Sequence, residues 1–312
     1  VKYRFSILLI TILCCATQAF AQFHKSTDKR ANHYITMALA GGESNTFTSF
    51  TDDAPSLRDM PGADALFALT YEVRKGKFFV GLGAQADYDF TWQKADSFIH
   101  EFDRRDREYD EIIYGYRYTD YRDYQHNLQL SIPLYVGGNI GHSMYFLAGA
   151  KVSLSFLGRH HTNTLLSTEG TYVRFIHTIR NAPTYGYYYQ DEYDYRDAWE
   201  TPSIKISPMA ELGARIPIES RSHRIGMRLG AYVEYGIPLS ANRQMEMVDY
   251  SRVDASPFTQ NQDDLRRNIV FNSILNSTYQ QKAFSQLTIG IKWTVLFNIT
   301  PPEHVCMCDG EL

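Results

Sequence analysis

No stretch of this 312-residue chain is long and apolar enough to cross a bilayer as a helix, which takes about 20 residues. Cysteine is scarce: there are four, of which Cys14 and Cys15 fall in an N-terminal leader and Cys306 and Cys308 near the other end. A disulfide framework is therefore not expected, although an exported chain could have used one. An excess of basic charge is missing too. The net charge is −4, and loss of the leader cations Lys2 and Arg4 makes it two units more negative. That balance gives no support to nucleic-acid binding, which needs clustered Lys and Arg.

The leader itself reads clearly. Lys2 and Arg4 precede an apolar run from Phe5 to Ala16, and Ala19-Phe20-Ala21 supplies small residues for cleavage. This is the layout of a signal peptide, residues 1–21. Leu13 stands before Cys14 where lipidation would favour a small residue, so ordinary cleavage after Ala21 is expected.

Aromatic residues, by contrast, are abundant. They make up 14% of the chain, with 23 tyrosines, and aromatics favour strands and membrane interfaces. Period-two alternation then appears in segment after segment. Ile225, Met227, Leu229, Ala231, Val233, Tyr235 and Ile237 alternate with Arg228, Gly230, Tyr232 and Glu234. Similar alternation covers 144–156, 204–216 and 287–297, and looser examples lie at about 33–42, 63–75, 77–92 and 124–139. That makes eight strands. None shows the three-and-four spacing of an amphipathic helix.

The links between strands alternate in length. Those at Gly76, at Gly141-His142 and at 219–223 are short, whereas 43–62, 93–123, 159–202 and 240–282 are long. Short periplasmic turns facing long extracellular loops are the layout of an outer-membrane barrel. The expectation is an all-β, eight-stranded antiparallel up-and-down transmembrane β-barrel over 33–298. A periplasmic segment, 22–32, precedes it and a periplasmic tail, 299–312, follows, so both ends lie in the periplasm.

The chain here resembles the OmpA/OmpX-type barrels, and more particularly the outer-membrane β-barrel domains common in Bacteroidota. The residues that carry the likeness are His126–Val136 (HNLQLSIPLYV), Tyr145–Lys151 (YFLAGAK) and Leu287–Phe297 (LTIGIKWTVLF). The last resembles the terminal-strand signal read by the barrel-insertion machinery, an expected partner during biogenesis. Larger members carry a peptidoglycan-binding domain after the barrel. The sequence stops fourteen residues past Asn298, so that anchoring is not expected here. Lipids of the outer membrane, lipopolysaccharide included, are the expected surroundings.

Two sets of residues stand out as candidate sites. An eight-stranded barrel is just wide enough to be filled by its own side chains. Its polar face should hold Glu72, Asp87, Glu211 and Glu234 against Lys151, Arg215, Arg228 and Lys292. Buried charges are costly unless paired, so a salt-bridged plug is expected in preference to a narrow pore. The second set is Tyr114, Tyr116, Tyr118, Tyr185, Tyr187, Tyr188, Tyr189, Tyr193 and Tyr195. Residues 101–125 and 184–199 together hold twelve of the 23 tyrosines. These stretches are expected to prolong the strands beyond the membrane, with ligand recognition or adhesion by tyrosine as a further possibility.

Enzyme chemistry finds little footing. His142-Ser143 belongs to a short turn, the wrong end for lipid A chemistry. His160-His161 has no matched serine or carboxylate in the sequence and reads as a solvated pair. Cys306-Met307-Cys308 has a spacing specific to no metal site. No catalytic residue, metal or cofactor is expected, and no extracellular ligand can be named from the loops.

Overall fold

The computed structural model describes residues 31–105, 110–182, 187–198, 204–216, 225–239, 244–249 and 269–300. The leader, Tyr185, Cys306 and Cys308 lie outside the described residues.

The strands are β1 (Asn32–Phe50), β2 (Leu57–Lys75), β3 (Phe78–Arg105), β4 (Glu111–Ile140), β5 (Met144–Tyr172), β6 (His177–Arg180), β7 (Asp191–Ala198), β8 (Ile204–Ile216), β9 (Ile225–Pro238), β10 (Val248–Asp249), β11 (Val270–Phe271) and β12 (Gln280–Asn298). Eight of them form a closed antiparallel ring in the order β1-β2-β3-β4-β5-β8-β9-β12, with β12 returning to β1. The closing seam is long, running from Tyr34 opposite Asn298 to Phe50 opposite Gln280. Closure leaves no sheet edge to satisfy, the condition for crossing hydrocarbon with strands. Among the described residues no helix is long and apolar enough to cross a membrane.

Which face is polar decides the environment. Ile35, Met37, Leu39, Phe67, Leu69, Leu130, Leu134, Leu212, Leu229 and Trp293 all point outward and are exposed, with Ile132 at 61% and Ile291 at 64%. Their neighbours along each strand, such as Glu72, Gln85, Asp87, Ser131, Lys151 and Arg228, are buried inside. A soluble barrel would be arranged the other way round. At about 25 cal/mol per Å² of apolar surface, this outer belt demands lipid rather than water.

Two of the short turns rest on glycine. Gly76 and Gly141 have φ of +63° and +62°, which glycine adopts without the penalty a Cβ would bring. The ring strands continue well past the apolar belt. β3 and β4 stay paired from Phe78 opposite Gly138 up to Arg105 opposite Glu111, and β4 and β5 up to Ile112 opposite Tyr172. The link between β1 and β2 shrinks to 51–56. The loop boundaries read from sequence were therefore too wide. Above the belt the outer face no longer has to be apolar, so hydrophobic alternation fades while backbone pairing goes on.

A register shift in β4 between Thr119 and Arg122, with Asp120 at φ +51°, resets which side chains face in. Below it the odd positions Tyr121 to Tyr135 point inward; above it the even positions Ile112, Tyr114, Tyr116 and Tyr118 do. Such a bulge re-aims a whole strand. It divides the molecule into a polar-filled lower barrel and an aromatic-filled upper canopy.

Candidate functional site

In the lower barrel the acids and bases meet one another. The Arg228 guanidinium donates from one nitrogen, Nη2, to both carboxylate oxygens of Glu72, at 2.6 and 2.7 Å. Arg74 Nε adds a third hydrogen bond to Glu72 at 2.5 Å, and the Tyr135 hydroxyl a fourth at 3.3 Å. Arg228 also lies over the rings of Phe79 and Tyr145, 4.5 and 5.1 Å from their centroids. One layer away, Lys292 forms an ion pair with Glu211 at 3.0 Å, and Tyr145 donates a short hydrogen bond to the same carboxylate. Further up, Lys151 bridges Asp87 at 2.8 Å and Glu234 at 2.5 Å. Gln85 and Ser131 complete Asp87 at 2.5 Å each.

Seven of the eight charges named from sequence thus lie together in the lumen as three linked groups. Arg215 does not. It is half-buried at the short-turn end, lining a cavity with Tyr34, Arg74, His142 and Ser143, and no carboxylate pairs with it among the described residues. The expected network also omitted Asp64, Asp89, Arg74 and Lys205. Tyr232 donates to Asp64 at 2.7 Å, and Lys205 stands 3.7 Å from Asp89. All four share the inward parity of their strands, the signal that could have found them.

Small residues make this filling possible. A Cβ at Gly230 would strike the Tyr145 hydroxyl and approach Glu211 within 3.1 Å, and one at Gly81 would strike the Tyr135 ring. The cavities left between the charges are slight, about 10 Å³ each, lined by Asp64, Lys151 and Glu234 in one case and by Glu211, Arg228 and Lys292 in the other. A single water occupies about 10–15 Å³ on this measure.

The canopy is built on other chemistry. Tyr116, Tyr118, Tyr121, Leu166 and Tyr193 pack with Val248, Ile269, Phe271, Ile274, Leu275 and Phe284 in a dry core. Phe98 stacks on Tyr118 at 4.6 Å, and Phe271 meets Tyr193 at 4.8 Å and the edge of Tyr118 at 5.5 Å. The described part of the fourth long link, including the 3-10 turn Ile274–Asn276, sits inside the upper mouth of the barrel. Buried Asp123 anchors it by accepting hydrogen bonds from the Ile274 amide at 2.8 Å and the Ser273 hydroxyl at 3.0 Å. Gln125 donates to the same carboxylate at 2.7 Å, and Tyr193 donates to the Ile269 carbonyl at 2.8 Å. Burial, followed by the charge of Asp123, pushes the Tyr121 phenol well above its ordinary range.

The tyrosines singled out from sequence therefore mostly face inward. Tyr114, Tyr116, Tyr118, Tyr187 and Tyr193 are buried, Tyr188 and Tyr195 are half-buried, and Tyr189 is 65% exposed. The reason is the bulge at Asp120, which turns the 114-116-118 row into the canopy. The histidine pair is likewise split rather than solvated. His160 is buried in the interior, while His161 faces out and lies 2.9 Å from Asp194. Adjacent strand residues must diverge in this way.

No family model and no curated protein sequence matches the chain. Among solved structures it is similar to Ail, the attachment invasion locus protein of Yersinia pestis, solved with the heparin analogue sucrose octasulfate. That match has 8% identity and a TM-score of 0.23 over 84% of this chain and 98% of the other. It is also similar to Neisserial surface protein A, NspA, at 9% identity and a TM-score of 0.27, over 86% and 99%. Both are eight-stranded outer-membrane β-barrels. The identities and scores are low, and the closed ring of eight antiparallel strands in this chain stands on its own pairings.

Proposed function

We propose that this protein is a non-enzymatic, integral outer-membrane barrel that seals its own lumen and holds a rigid, strand-built canopy outside the cell. The short turns and both chain ends then face the periplasm. Its role is structural and surface-displaying. Outer-membrane lipids surround the belt, and the barrel-insertion machinery acts on the closing strand β12 during biogenesis.

The observation that carries this reading is the ion-paired lumen, with Glu72, Arg228, Lys151 and Glu211 buried and each in an ion pair where a pore would be open. A plugged mouth above it, tied by Asp123, closes the path a second time. What such a molecule offers to a partner is the outside of the canopy. Tyr189, Phe175 and Ile176 are exposed there, and Arg117 and Arg180 line a groove of about 240 Å³ with Tyr189. Recognition or adhesion would use these residues rather than the buried tyrosines.

Planar-bilayer recording of the refolded protein tests the sealed barrel. The expected trace is flat. Steady single-channel steps whose size changes in Arg228→Ala would overturn it. For surface display, cells carrying Phe175→Ser with Tyr189→Ser should bind host surfaces less than wild type. Unchanged binding would remove this face from the role.

A further inference from the structure

The outside of the barrel is not uniform where the apolar belt ends. On β3, β4, β5 and β7 the strand pairings bring outward-facing residues into three rows. Nearest the belt, Phe90 lies opposite His126 and His126 opposite Arg159. Next come Trp92, Tyr124, His161 and Arg196, and beyond them Lys94, Arg122, Asn163 and Asp194. Directly below stand Leu128, Leu130, Leu154, Phe156 and Leu157. The surface thus grades from hydrocarbon through aromatic and imidazole rings, with Arg159 beside them, to a row of charged and polar side chains.

The aromatic rows are ordered. Trp92 stacks on Tyr124 at 5.6 Å, Phe90 on Tyr124 at 6.2 Å, and the Tyr88 hydroxyl lies 2.7 Å from His126 Nδ1. A groove of about 360 Å³ runs between Phe90, Arg122, Tyr124, His126, His161 and Asn163. Two carboxylates compete for the cations. Asp120 takes Arg122 at 2.6 Å and Lys94 at 3.3 Å, while Asp194 takes His161 at 2.9 Å and Arg196 at 3.2 Å. Lys94, Arg122, Arg159 and Arg196 still leave an excess of two positive charges. Exposed Arg159 has no carboxylate partner among the described residues. The outward positions of β8 and β9, from Ile204 to Ile216 and from Ile225 to Ile237, carry no charge at all.

We propose that this one-sided groove binds the phosphorylated headgroup of a membrane lipid in the outer leaflet. Arg122 within the groove and exposed Arg159 at its edge, opposite His126, hold the phosphate, and the rings of Phe90, Trp92 and Tyr124 sit at the interface. The acyl chains lie along Leu128, Leu154 and Leu157. Arginine suits phosphate because its planar fork can donate two parallel hydrogen bonds. Basic residues at a bilayer surface favour anionic lipid. Interfacial aromatics fix the depth. The inference rests on the barrel standing in a membrane, as proposed above.

The test is native mass spectrometry of the full chain in detergent micelles doped with diphosphoryl lipid A, monophosphoryl lipid A or phosphatidylcholine. Wild type should retain one diphosphoryl lipid A through detergent exchange. Arg122→Gln with Arg159→Gln should lower retention about tenfold or more, and Arg58→Gln on the neighbouring strand should not. Slower gel migration after heating shows separately that each variant was a folded barrel, so lost retention with that shift intact bears on the groove alone. Equal retention by the double variant, or of phosphatidylcholine by wild type, would overturn the site. So would displacement of the lipid by inorganic phosphate alone.

Discussion

The lower barrel and the upper canopy solve the same packing problem with opposite materials. At the level of the apolar belt the outside is apolar, and the inside holds Glu72, Arg228, Lys151, Asp87, Glu211 and Lys292 in ion pairs. Above the bulge at Asp120 the inside is a conventional dry core around Tyr118, Phe271 and Leu275, while the outside carries Asp96, Glu101, Arg117 and Arg180. The same strands run through both zones. Solvent makes the difference. Lipid around the belt removes any gain from burying apolar side chains inside, so the lumen takes polar residues that satisfy one another. Water around the canopy restores that gain, and the interior turns aromatic.

The comparison can be broken at several points. The largest effect should come from Glu72→Ala, which strands Arg228 and Arg74 beside two aromatic rings. Loss of one partner of a buried pair costs about 3–5 kcal/mol. Urea unfolding of the liposome-inserted protein, followed by heat-dependent gel mobility, should register it as a loss of the whole barrel. Ile132→Lys, on the outer face mid-belt, should cost about 2–4 kcal/mol in the same assay. A soluble barrel would tolerate it freely.

Asp123→Asn should be milder and local. It weakens the anchor of the Ser273 and Ile274 segment by about 1–3 kcal/mol, seen as faster proteolysis within 244–279 with the barrel midpoint unchanged. The smallest effect is at acidic pH. Partial burial would raise the Asp120 carboxyl, but hydrogen bonds and charge from Arg122 and Lys94 outweigh it and hold the group below its ordinary 3.8. Asp194 is lowered in the same sense, against burial, by His161 and Arg196. Groups depressed on folding stabilise above their unfolded pKa and lose that contribution as pH falls through the lower folded value. Thermal midpoints of wild type and Asp120→Asn should therefore differ slightly at pH 6 and converge near pH 2, as suits exposed pairs.

The two zones also differ in how legible they were. Strands such as Ile225 to Ile237 announce themselves because lipid forces every outward residue to be apolar. The ring order and the seven lumen charges follow from that parity. In the canopy, polar and apolar residues occupy either face, so the strand extensions past Trp92 and Tyr124 show alternation only in the Tyr114, Tyr116 and Tyr118 row. The tyrosines were conspicuous, but their direction depends on one bulge at Asp120 that no hydrophobic pattern marks. The fourth link was opaque for another reason: Ile269, Phe271, Ile274 and Leu275 are buried by long-range packing against β4, β5 and β12, which a linear reading does not display.

Spin labels placed one at a time at 128–132 and 134 of β4 test most directly whether the polar face is inside and the apolar face meets lipid. In reconstituted bilayers, labels at 128, 130, 132 and 134 should be accessible to dissolved oxygen, and those at 129 and 131 should not. Uniform accessibility, or access to a water-soluble nickel chelate at 130, 132 and 134, would contradict the inverted barrel.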